Sequence, residues 1–346
     1  MSTGTPDEKQ RVPGRSIGKA NPSIEAARKG VSPAASGPAG AHFEGQVGAS
    51  YLLDLLAGTE PRGLPGTLTA SVEFQRSNEE HFLDDVIIHA HDTQGKPATL
   101  AIQVKRTATF APADKVFRSI VVQIAQTMQR PDFWSKRYEL GIAVDRTSGK
   151  IGSYQDVLTW ARKLGDAETF ISRINLPGAT NDDMRAFVQT FRAHLKEAGA
   201  VHDDETLWNL LRRLQIFSFD FTTQGSASEE LAKELAVRTL HPDNAARANN
   251  LWTTLIEFAL QVAASGGDSN RDDLIEHLQS QSFRLAGDRR FLTARRTLGE
   301  TAHQALADIN DRIGGALLTR HEHVASVRAA LEKGRYVEIR GDAGVG

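Results

Sequence analysis

Two adjacent carboxylates and a Gln-x-Lys triplet are the side chains whose types and spacing could do chemistry. Both lie in the stretch Leu83 to Arg106, LDDVIIHAHDTQGKPATLAIQVKR. Asp84 and Asp85 open an apolar β-type segment, and the chain turns at Asp92-Thr93-Gln94-Gly95. A second β-type segment then climbs to Gln103-Val104-Lys105. Strand side chains alternate between faces, so Gln103 and Lys105 point one way while Ile102 and Val104 point into the other layer. An Asp at the start of one strand, beside a polar acceptor and an ammonium on its neighbour, can hold a divalent metal and a phosphodiester. Asp85 is the first choice for that acid and Asp84 the competing one, because strand register decides which of them faces Gln103.

The flanking chain must supply a frame for this hairpin. Phe43, Val47, Tyr51 and Leu55 recur at helical spacing, with Leu52 and Leu56 widening the stripe. They predict a helix over His42 to Ala57, ending near Gly58. Glu44 lies about one turn inside it, where an acid also complements the helix dipole. After a loop at Pro61–Pro65, Leu68–Phe74 alternates as a first strand. Asp84–Ala90 and Thr99–Arg106 are the second and third. Ala113–Met128 reads as a helix with Val116, Ile120, Ile124 and Met128 on one stripe, and Tyr138–Val144 as a fourth strand. The expectation is an α/β core in the order αβββαβ.

Composition bounds what such a core can be. The 346 residues, 40% of them hydrophobic, suffice for two domains with a sizeable core. Lys and Arg number 41 against 43 Asp and Glu, a formal net charge of −2, so any nucleic-acid contact must come from a local patch. The absence of cysteine excludes disulfides, thiol nucleophiles and Cys-based zinc sites. No stretch approaches the apolar length of a membrane span, and the first residues lack the apolar core of a signal peptide. The expectation is a soluble, cytoplasmic protein.

Residues 1–40, rich in Ser, Gly, Pro and Ala with scattered Lys and Arg, predict a disordered tail that could also serve as a basic arm. The core domain is expected over 41–222 and a helical linker region over 223–332. Helical patterns there include Ser228–Val237, Ala246–Ala264, Arg271–Gln279 and Thr293–Ile313, with Ala263–Asn270 as the clearest break. Inside the core domain, Tyr154–Leu164, Asp182–Ala198 and Asp204–Leu214 also read as helices. Gln215–Phe221 is a short β-like run that could rejoin the sheet beside Gly141–Val144. Its Phe217, Phe219 and Phe221 read as core rather than as a base-stacking platform. The acids ahead of the helical runs at Asp182-Asp183 and Asp203-Asp204 read as caps. His321 and His323, two apart, cannot share a helix face as HExxH histidines do. Over 333–346, a strand-like RYVEIR precedes Gly341-Asp-Ala-Gly-Val-Gly346. Gly341, Gly344 and Gly346 fit the start of a P-loop, with the chain stopping where its Lys would follow. The expected reading is an N-terminal part of a longer protein, in which ATP would bind only at full length.

The segments FEGQVGASYLLDLL, LDDVIIHA, LAIQVKR and DKVFRSIVVQIAQTM resemble the PD-(D/E)XK nuclease superfamily in its Mrr-like form, where Gln replaces the second acid. More narrowly they resemble the dsDNA-endonuclease effector domain of bacterial anti-phage systems. The terminal VEIRGDAGVG and the helix before it are similar to NACHT/STAND NTPases of the Avs, NLR-like kind. The resemblance implies a restriction-endonuclease-like core and a Mg²⁺- or Mn²⁺-dependent DNA endonuclease. Its metal shell would be Asp85, Gln103, the Val104 carbonyl and Glu44, with Lys105 as catalytic partner. Arg76, Arg106, Lys115 and Arg118 would contact DNA phosphates without reading sequence, and the full-length protein would act as a homo-oligomer. The competing reading is a catalytically inactive nuclease-fold scaffold that serves as an interaction or oligomerisation module of a signalling ATPase.

Overall fold

The computed structural model describes residues 37–75, 81–145, 149–287, 292–307, 312–313, 316–317 and 321–333. It divides into two units, one through Asp288 and one from Arg289. The expected strand over 335–340, the P-loop glycines Gly341, Gly344 and Gly346, Arg76 and the tail before Gly37 lie outside the described residues.

The first unit is α/β around a mixed six-stranded open sheet. Helix α1 (Gly37–Ala57) leads into β1 (Thr67–Glu73), β2 (Val86–Asp92) and β3 (Pro97–Lys105), which form an antiparallel meander. Helix α2 (Lys115–Thr127) crosses to β4 (Arg137–Val144), which lies parallel to β3. Helices α3 (Ile151–Lys163), α4 (Ala167–Asn175), α5 (Asp182–Glu197) and α6 (Asp204–Arg213) return the chain to β5 (Leu214–Ser218), parallel to β4. The run expected beside Gly141–Val144 therefore does rejoin the sheet. Helix α4 was not foreseen; Asp166 caps it by accepting from the Thr169 amide. Asp203 caps α6, whereas α5 is capped by Asn181, with Asp182 and Asp183 in its first turn.

Each sheet face buries one core. On the first, Val86, Ile88, Leu100, Ile102 and Val104 pack with α1 and with Phe217, Phe219 and Phe221. On the second, Ala101, Leu140, Ile142 and Val144 meet α2 to α6. Strand β3 contributes to both, as its alternation requires.

The region expected as a helical linker over 223–332 is helical over much of its described length and is shared between the two units. Helices α7 (Ala227–Thr239), α8 (Ala248–Ser265) and α9 (Arg271–Ser280) belong to the first unit and complete its first core. Helix α1 is buried on nearly all sides from Phe43 onward because the sheet lies on one side of it and α8 on the other. Gly48 makes the close approach possible: a Cβ there would stand 2.5 Å from the Phe74 ring and 3.3 Å from Ala259. The break expected at Ala263–Asn270 holds a left-handed cap at Gly266. It then forms β6 (Asp268–Asn270), which pairs antiparallel with β1 and gives the sheet order β5-β4-β3-β2-β1-β6.

In the second unit, α10 (Leu292–Ala307) stops short of the helix expected through Ile313, because Arg312–Ile313 (β7) pairs with Ala316–Leu317 (β8). Helix α11 (His321–Lys333) follows. Among the described residues no helix is long and apolar enough to cross a membrane.

Near the C-terminal end of α1, Asp54 accepts from Thr59 Oγ1 at 2.7 Å. Burial nevertheless outweighs that hydrogen bond and raises its pKa to about 7. An unfolded Asp ionises near pH ~4, so between the two values the unfolded chain gives up a proton that the fold keeps. Stability from this group is full at low pH and falls as pH rises towards 7. Asp54→Asn is expected to be more stable than the wild type at pH 8, by roughly 1 kcal/mol after allowing for solvent access, or about 2–4 °C. The difference should vanish at pH 4, as paired thermal melts would show.

Candidate metal-binding site

Strand register places the first acid. Val86 pairs with Ile102, so the residue before it stands beside Gln103 at the mouth of β2 and β3. Asp85 shares the face of Ile87 and His89, away from Val86 and Ile88 in the α1 core. This decides between the two aspartates: Asp85 is the one gathered with the Gln-x-Lys triplet. Asp84 is also buried, and its carbonyl accepts from the Gln75 amide at 2.7 Å.

Asp85 is only 4% exposed and Gln103 only 3%. One carboxylate oxygen, Oδ2, accepts from the Val104 amide at 2.7 Å, from Lys105 Nζ at 3.1 Å and from Gln103 Nε2. The other, Oδ1, accepts from Gln75 Nε2 at 3.3 Å. Lys105 Nζ also donates to the Val104 carbonyl at 2.8 Å, and its side chain keeps 27% exposure. A buried carboxylate is tolerated when it is paired with a cation and hydrogen-bonded, and this one has both. Lys105 is thus a cation anchored at the base and open to solvent at the rim.

Further oxygens stand on Gln103 and Val104, the residues that hold Asp85. Gln103 Oε1 is buried with no hydrogen-bond partner among the described residues, a costly condition for an amide oxygen. Asp85, Gln103 Oε1 and the Val104 carbonyl form an all-oxygen set of the kind that suits Mg²⁺ or Mn²⁺. The orphaned oxygen gives such an ion a reason to fit.

The other expected residues fall less uniformly. Glu44 is half-buried on α1, the helix covering the opposite sheet face, and the hydrogen bonds described at Asp85 do not come from it. Arg106 follows Lys105, and its Nε is buried without a hydrogen-bond partner among the described residues. Lys115 is exposed at the start of α2. Arg118 is paired with Glu197 of α5 at 3.1 Å, both half in solvent, a contact of little strength.

Three residues went unremarked or unassigned in the sequence. Gln75 holds Asp85 from the end of β1 with a left-handed backbone, φ 53°. A non-glycine residue in that region costs ~1 kcal/mol or more and occurs often at functional sites. Nothing in the local pattern announces it. Asp145, just past β4, is buried and held by Thr222 Oγ1 at 2.7 and 2.8 Å. His81, just ahead of β2, is buried, and desolvation with Arg130 nearby lowers its pKa to about 4.

No family model matches the chain, and no curated protein or solved structure matches it.

Proposed function

We propose that the chain is a metal-dependent endonuclease of the PD-(D/E)XK type, in the Mrr-like form with Gln for the second acid, cutting double-stranded DNA with low sequence specificity. The observation that carries this is the gathering of Gln103, Val104 and Lys105 around the buried Asp85 carboxylate, with the Gln103 amide oxygen buried and without a hydrogen-bond partner among the described residues. The element order gives further support. A helix, a three-strand meander, a crossover helix and a parallel fourth strand carry the triplet on a central strand, as a restriction-endonuclease-like core would.

Asp85, Gln103 Oε1 and the Val104 carbonyl would hold Mg²⁺ or Mn²⁺; Glu44, expected as a further acid, stands on the helix over the opposite sheet face. When bound, the ion supplies Lewis-acid polarisation of the phosphodiester and a water of lowered pKa. Lys105 offsets the charge that gathers on the phosphate and orients the attacking water. Arg106, Lys115 and Arg118, the last in a solvent-exposed pair with Glu197, are the described groups for backbone phosphate contact, sequence-independent by nature. The wider setting, an effector of an oligomeric anti-phage STAND NTPase, belongs to the same proposal and rests on sequence motifs alone.

One observation favours the scaffold alternative. Asp85 is already satisfied by four donors from its own chain, an arrangement that a purely structural aspartate would also adopt. Supercoiled-plasmid nicking separates the two. The wild type is expected to nick in Mg²⁺ or Mn²⁺ and to stop in EDTA. Asp85→Asn keeps the side-chain volume but removes the charge, and is expected to lose roughly 10²-fold or more of the rate. A wild type inactive with both ions would leave the scaffold.

A further inference from the structure

We propose that the same sheet face carries a second, separate metal site, built from Glu73, His81 and His89 and suited to a transition-metal dication of the zinc class. Each of the three offers one ligand atom within 4.8 Å of the others. Glu73 and His89 sit on adjacent antiparallel strands, two positions out of register with each other, and their Oε1 and Nε2 atoms lie 3.2 Å apart. His81 comes from the segment entering β2 and is 7% exposed, its ring edge-on to that of His89 at 6.1 Å.

The outer partners of the two imidazoles distinguish this cluster from a chance ion pair. His81 Nδ1 lies 3.0 Å from the Tyr138 hydroxyl, and His89 Nδ1 lies 3.5 Å from Thr99 Oγ1. Where each hydroxyl accepts the Nδ1 proton, the Nε2 lone pair is left for the point shared with Glu73. Metal-bound histidines are held in this way, with the second ring nitrogen tied to an outer acceptor. The positive charge nearby is offset, because Arg130, which lies over the Tyr138 ring, is bonded to Asp132 at 3.1 Å.

Two imidazoles and a carboxylate form a borderline nitrogen-rich set. It suits zinc and its neighbours rather than Mg²⁺, and three protein ligands leave a position open. Asp85 just precedes β2 and His89 lies four residues further on, roughly 13 Å at ~3.3 Å per residue, while Glu73 faces Ile87, two residues from Asp85. The two sets of ligands share no residue. The second ion would fasten together β1, β2 and the segment that delivers Asp84 and Asp85 to the mouth of the sheet.

Cobalt(II) titration of the full chain, stripped with a chelator and dialysed, tests this with absorbance in the visible and a thermal melt as readouts. In excess Mg²⁺, which would occupy the Asp85 oxygen set, one equivalent is expected to bind with a d–d band of low coordination number, to be displaced by Zn²⁺, and to raise the melting midpoint by several degrees. His89→Ala and Glu73→Gln, both at half-buried positions, are expected to fold as judged by circular dichroism and to bind at least ~100-fold more weakly. Asp85→Asn is expected to bind as the wild type does. Absence of stoichiometric binding overturns the site. So does binding undiminished in His89→Ala and Glu73→Gln, or binding lost in Asp85→Asn.

Discussion

Lys105→Ala is expected to reduce metal-dependent plasmid nicking by roughly 10²–10³-fold while shifting the melting midpoint by only a few degrees. The two halves of that result have different physical origins. In the resting site Nζ neutralises Asp85 at 3.1 Å and covers the Val104 carbonyl at 2.8 Å. Removing it leaves Asp85 with the Val104 amide, Gln103 and Gln75, so the stability cost is that of one charged hydrogen bond, about 1.5–3 kcal/mol. The reaction loses more. A phosphodiester entering the site brings negative charge that increases on the way to the transition state, and Lys105 is the cation anchored there with part of its surface open. Lys105→Arg is not expected to rescue, because the planar guanidinium cannot reproduce a point charge bonded at once to Asp85 and a backbone carbonyl. Nicking that survives Lys105→Ala, with a melt unchanged, would place the chemistry elsewhere.

How far this site was legible follows from what each residue contributes. Asp85, Gln103 and Lys105 could be read because strand alternation and one tight turn suffice to bring them together. The choice between Asp84 and Asp85 could not, since it depends on a register set by Val86 facing Ile102 across two strands. Gln75 left no trace, because its left-handed backbone and its reach to Asp85 are products of tertiary structure. The histidines were visible as letters only. His89 gains significance from Glu73 on the neighbouring strand and from His81, which enters through a non-strand segment.

The fold divides along the same line. Elements with a long apolar period, such as α1, α2, β3 and β4, appear within a few residues of their expected bounds. The three-residue β6 has no period to detect and exists because β1 offers it an edge. The apolar stripe of α8 was evident, but a stripe does not say what it covers. Sequence periodicity reports that a face must be buried, and only the assembled core shows that α1 is the partner.

The largest stability effect should come from cutting the chain at the boundary expected after residue 222. A chain of residues 37–222 is expected not to fold, whereas 37–288 should melt cooperatively. The shorter chain loses Leu251, Trp252, Leu255, Leu274, Leu278 and Phe283, each buried to within a few per cent in the core that α1 shares. At about 1.5–3 kcal/mol for each large apolar side chain buried, their loss alone rivals or exceeds the ~5–15 kcal/mol that holds a domain folded. The truncation also bares the outer side of α1, including the surface where α8 meets Gly45 and Gly48. It strips β6 from β1, turning a capped strand into an open edge that can pair with other chains. A point substitution isolates the same interface. Trp252 stacks obliquely on Phe221 at 5.5 Å, and Trp252→Ala is expected to cost about 3–5 kcal/mol, readable as a lowered denaturation midpoint in 37–288. A soluble 37–222 chain with a sharp melt would show that this half stands without α7 to α9. Aggregation of that chain beside a well-behaved 37–288 would show that the helices after Phe221 are the second wall of the core that positions Asp85 and Lys105.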